Sequence, residues 1–147
     1  QAQKLQAQQL QEQQQRDVVA KRQSCLNTYP TKAQIQQATD MAIATLNSSM
    51  TASKASITSQ YDSQIAQVRA KLQTDLTYAQ EAQRGYATNS AMLTQMQNSA
   101  NASIEDLESR KQELLLMADA GYGTKVADVR MRALQMLQES SEMVCGI

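Results

Sequence analysis

Gln83-Arg84-Gly85-Tyr86-Ala87-Thr88-Asn89-Ser90 is the stretch whose reading decides the fold of this chain. Cys25 lies 60 residues before Gly85 and Cys145 lies 60 residues after it. Helical arms of equal length rise equally, at about 1.5 Å per residue. A reversal at Gly85 therefore brings the two cysteines to the same end of a long hairpin. Glycine is the usual residue where a helix ends in a left-handed conformation, and Asn89 or Ser90 can cap the next helix. The competing reading is a helix that runs straight through. Ala79, Ala82 and Tyr86 would carry its apolar stripe on to Leu93, and one internal glycine costs only about 1 kcal/mol. A rod of about 130 Å would result. The hairpin is preferred because it alone also explains the cysteines.

Working outward toward the N-terminus, the outgoing arm carries a sustained apolar stripe. Ile43, Leu46, Met50, Ser53, Ile57, Tyr61, Ile65, Val68, Leu72 and Leu76 succeed one another at steps of three or four. The mean step is about 3.7 residues, close to the helical period and to an eleven-residue repeat. The residues between them are mostly Ser, Thr, Gln and Ala, so the seam is narrow and removes little apolar area from water. The start of this arm is set by Asn27-Thr28-Tyr29-Pro30. Proline pushes the residue before it out of the helical region. Thr31-x-x-Gln34 then matches a capping box, in which each end satisfies the other's backbone donor.

Before that break lies a Gln-rich arm, residues 1–28. Nine of its first fifteen residues are Gln, and Ala2, Leu5, Ala7 and Leu10 are the only apolar positions among them. Alone, such a helix is marginal, and the arm is expected to be a helical or disordered extension. Val18, Val19, Cys25 and Leu26 firm it toward its end.

Outward from Gly85 in the other direction, Leu93, Met96, Ala100, Ile104, Leu107 and Leu114 mark the return arm. Asp106 with Arg110, and Glu108 with Lys111, have surface-pair spacing. Gly121-Tyr122-Gly123 interrupts this arm, with Thr124 able to cap the segment beyond it. Val126, Val129, Ala133, Met136 or Leu137, and Val144 form the last stripe. A full reversal at Gly121–Gly123 would carry Cys145 away from Cys25. A kink would let the cysteines meet, so the disulfide reading predicts a kink.

The expected fold is all-α: a long antiparallel helical hairpin, coiled-coil-like, preceded by the Gln-rich arm. Residues 31–147 form one domain, with an outgoing helix over 31–84, a turn over 85–90 and a returning helix over 91–144 kinked at 121–123. The composition agrees: no Trp, no Phe, four Gly and one Pro point to long helices with a thin seam.

Function is read from the chemistry that the residues allow. There is no His, no P-loop and no GxGxxG; the Ser, Thr and Cys side chains lack a plausible base. No catalytic, metal or cofactor site is expected. Fourteen basic and fourteen acidic residues balance, which argues against specific nucleic-acid binding. No apolar run is long enough to span a membrane. Two cysteines without His make a disulfide the economical reading, and a disulfide favours an oxidising compartment; the alternative is two unrelated thiols. The chain opens on Gln1, and a cleaved signal peptide is expected. The eight Met are read mainly as core filler, with a Met-rich binding face as the alternative. Asn47-Ser48-Ser49 and Asn101-Ala102-Ser103 match the glycosylation pattern but fall inside predicted helices.

Such a seam is expected to gain stability from protein partners, through self-association or a larger assembly. The expected function is a non-catalytic, exported structural component of an envelope machine such as a secretion, conjugation or pilus apparatus. The alternatives are a phage ejection or tube-forming protein, and a periplasmic helical binding module.

Overall fold

A computed structural model describes residues 1–82 and 90–146. The described residues are almost entirely helical and contain no strand. The elements are α1 (Ala2–Thr28), α2 (Lys32–Ala82), α3 (Ser90–Gln138) and α4 (Ser141–Val144). The expected turn at Gly85 falls outside the described residues. The chain divides into two compact units, one of residues 1–46 with 124–147 and one of residues 47–123. The boundaries cross α2 and α3 in mid-helix.

In the second unit, residues 47–82 of α2 pack antiparallel on residues 90–123 of α3. Two ion pairs fix the register. Lys54 Nζ lies 2.9 Å from Asp119, and Lys111 Nζ lies 2.9 Å from Asp62. The basic residue is on α2 in one pair and on α3 in the other, yet both obey the same alignment. An unbroken rod is incompatible with these contacts. Ile65, Ala79 and Ile104 are buried between the helices, and Met50, Ile57, Tyr61, Val68, Leu72 and Leu76 line the same side of α2 half-buried.

The seam differs from its sequence reading at two places. Ser53 is exposed, and the stem of Lys54 lies half-buried beside it. On α3 the seven-residue gap between Leu107 and Leu114 is filled by Lys111, whose side chain is only 20% exposed. A lysine stem buries its methylenes and delivers the ammonium to the rim, here to Asp62. Lys111 therefore pairs across the helices rather than with Glu108. Asp106 and Arg110 do pair within the helix, at 3.1 Å.

Gly121 and Gly123 do not end the helix, so there is no reversal there. α3 runs unbroken through both, and Gly146 is the only described glycine with positive φ. A Cβ at either position would meet nothing within 4 Å. Each glycine costs a helix about 1 kcal/mol, and burying Val126 and half-burying Tyr122 outweighs that. The return helix also ends earlier than expected, at Gln138 rather than 144.

In the first unit the core is Ile35 and Val126, extended by Ala42, Ile43, Leu46, Val129, Ala133 and Leu137, all half-buried. Of the two candidates at 136 and 137, Leu137 faces inward and Met136 outward. Val144 is exposed as well. α1 is helical, with every residue from 1 to 24 exposed. Its apolar residues Leu5, Leu10, Val18 and Val19 are each about 60% exposed or more, and they do not share one face. Six of the eight Met are exposed: Met41, Met92, Met117, Met131, Met136 and Met143. The core-filler reading holds only for Met50 and Met96, which are half-buried.

Candidate functional site: a terminal clasp and the surfaces around it

The first unit closes where α1 meets α2, because two backbone groups there, Pro30 O and the Lys32 N–H, find their partners in the C-terminal segment. α1 ends at Thr28, and Tyr29 is extended (φ −111°, ψ 143°) ahead of Pro30. Thr31 and Gln34 form the reciprocal capping box. The Thr31 N–H donates to Gln34 Oε1 at 3.0 Å, and the Gln34 N–H donates to Thr31 Oγ1 at 3.1 Å. Helix N-termini leave four N–H groups without intrahelical partners. The Lys32 N–H is one of these, and it donates to Glu142 Oε2 at 3.0 Å. Glu142 arrives from 110 residues away in sequence, and its negative charge suits the positive end of the α2 dipole.

Glu142 reaches that point because α3 stops short. The last turn tightens: the Glu139 N–H donates to Met136 O, and the Ser140 N–H donates to Leu137 O. Ser140 is then extended (φ −68°, ψ 156°), and α4 starts after it. The Ser140 hydroxyl donates to Leu137 O at 2.8 Å. The Ser141 N–H donates to Pro30 O at 2.9 Å. Both serines are fully buried, and the Ser141 hydroxyl donates to Glu142 Oε2 at 3.2 Å. The Glu142 carboxyl is held below its ordinary value, first by its own backbone N–H, with the Lys32 N–H, Ser141 and the Lys32 charge adding to it and burial opposing. Gly146 closes the segment in the left-handed conformation, φ 71°, as expected just past a helix end.

Cys25 and Cys145 are joined as a disulfide, with Cα atoms 6.0 Å apart at a sequence separation of 120. Both are half-buried. Of the five residues singled out from the sequence, the structure brings these two together. Gly121 and Gly123 lie in plain helix, and Gly85 is outside the described residues. Glu142, Ser141 and Pro30 were missed. Their roles depend on a contact between chain ends, and no local pattern signals it.

Around the clasp, apolar side chains face solvent. Among the described residues, eleven of the fifteen exposed large hydrophobics belong to the first unit, including Met131, Leu134, Met136, Met143 and Val144. The second unit has an open groove of about 490 Å³ lined by Val68, Leu72, Met92, Met96 and Ala100, with Lys71 and Asp75 on its wall. No three metal-ligating side chains come together among the described residues, and no helix there is long and apolar enough to cross a membrane. No protein-family model, no curated protein and no solved structure matches the chain.

Proposed function

We propose that this chain is a non-catalytic structural subunit of an extracytoplasmic assembly, of the kind found in secretion, conjugation or pilus machines, and that it associates with other copies of itself. The observation that carries the reading is the exposed surface. Among the described residues, eleven of the fifteen exposed large hydrophobics lie on the first unit.

The character of that surface favours contact over solvation. Six exposed methionines are unusual where nothing is to be bound, since Met adapts to irregular partners. Four of them, Met41, Met131, Met136 and Met143, lie on the first unit with Leu134 and Val144, and that unit is taken as the contact region. α1 adds a long exposed helix whose Gln side chains can each donate and accept hydrogen bonds. The disulfide supports an oxidising compartment.

The test is the mass of the oxidised protein by sedimentation velocity across a wide concentration range. The proposal predicts species at multiples of 16.2 kDa, and it predicts that Met131→Gln with Leu134→Gln shifts them toward the monomer. A monomer at every concentration would overturn self-association.

A further inference from the structure

We propose that the Cys25–Cys145 bond is a redox latch for α1: thiol–disulfide exchange at this pair decides whether the N-terminal helix is fixed to the first unit or free to swing about Tyr29–Pro30. The proposal concerns regulation of the contact region, but it stands on the geometry of the clasp and not on the identity of the assembly.

Two sets of bonds meet at the clasp, and they do different jobs. The Ser141–Pro30 and Glu142–Lys32 hydrogen bonds attach the C-terminal segment to the α2 end of the junction. They do not touch α1. The side-chain bonds of α1 stay within it: Gln23 to Asn27, Thr28 to Ser24, and Arg16 to Glu12. Residues 1–24 are exposed throughout, and Cys25 and Leu26 are the only half-buried residues of α1, so packing holds the helix only at that end. α1 meets α4 at its C-terminal end, and the disulfide is the covalent tie in that contact. Tyr29 is extended between two helices; its N–H still donates to Cys25 O at 3.2 Å, and this is the last helical bond before the chain turns into Pro30, which has no N–H to donate. Both sulfurs belong to half-buried residues, within reach of an exchange reagent.

Closing the latch needs an oxidant, taken here as a disulfide of the glutathione or thioredoxin-like exchange class. The thiolate of one cysteine attacks a sulfur of the reagent disulfide, forming a mixed disulfide and releasing one reagent thiol. The second protein thiolate then attacks the protein sulfur and displaces the other. Two electrons pass to the reagent, and the two protons end on its thiols. Opening is the reverse, driven by a dithiol.

The experiment keeps both cysteines and changes only two exposed positions, Gln13 and Gln37, to carry the labels. Nitroxide labels are attached by non-thiol chemistry to unnatural residues at Gln13 on α1 and Gln37 on α2, both exposed. Their distance distribution is measured by pulsed dipolar spectroscopy before and after dithiothreitol. Hydrogen exchange is followed in parallel at the amides of Ile65, Ile104 and Lys32. The latch predicts a narrow distribution when oxidised and a broad one when reduced, restored by glutathione disulfide, with protection at Ile65 and Ile104 retained in both states. An unchanged distribution on verified reduction would show that the bond does not hold α1. Loss of protection at Ile65 and Ile104 would show a staple for the whole fold, not a latch. Either result overturns the proposal.

Discussion

Lys111 offers the sharpest separation of packing from charge in this molecule. It stands in the seam between Leu107 and Leu114, 80% of its side chain is out of water, and its ammonium meets an Asp62 that is 57% exposed. Truncation to Ala removes the outer methylenes of the stem. At about 0.8 kcal/mol per buried methylene, discounted for the exposed fraction, this costs about 2 kcal/mol. The ion pair itself is largely solvated on the Asp62 side, and such pairs contribute about 0.2–1 kcal/mol. Lys111→Ala should therefore cost roughly 2–3 kcal/mol. Lys111→Met keeps the stem and loses only the charge, and Asp62→Ala loses only the partner, so each should cost at most about 1 kcal/mol. The assay is urea unfolding at neutral pH and moderate salt, with the slope held unchanged as the check that only stability moved. Equal costs for Asp62→Ala and Lys111→Ala would refute the reasoning, because the charge and not the stem would then carry the position.

Further expectations concern the clasp and the outer surface. Thr31→Ala breaks the capping box and should lower the urea-derived stability by about 1 kcal/mol; no change would mean that Glu142 alone caps α2. The Glu142 carboxyl is depressed in the folded state, so its contribution is present above the ordinary carboxylate range and lost as pH falls through the lowered folded value. Wild type should lose stability on acidification relative to Glu142→Gln, read as the urea midpoint against pH, and parallel curves would contradict this. Leu116→Ala alters a side chain that is 68% exposed and should shift the same midpoint by no more than about 0.5 kcal/mol. A larger loss would show Leu116 to be packed.

Much of the helix pairing is legible in the sequence because it rests on local or periodic signals. Thr31 and Gln34 make the capping box that their spacing implies. Nine of the ten stripe positions on α2 face the interior, and the exception is Ser53, the smallest side chain counted into the stripe. Lys111 reads from the sequence as a surface partner of Glu108, because a charged residue reads as solvated unless the stem is considered separately from the head. The glycines at 121 and 123 do not stop α3, since a local cost of about 1 kcal/mol each yields to the burial of neighbouring side chains. The stop at Gln138 depends on Pro30 and Lys32 supplying partners to Ser141 and Glu142. Those partners lie at the far end of the sequence, where periodicity cannot reach.

The central claim is that the two ends of one chain are closed on each other at the α1–α2 junction. Its most direct test is a tryptic map of the non-reduced protein, with thiols blocked at lysis and the intact mass measured alongside. The account predicts peptide 23–32 linked to peptide 133–147 at the mass of a single chain, with no free thiol. Two blocked thiols in protein taken from an oxidising compartment, or a bond between chains, would contradict it.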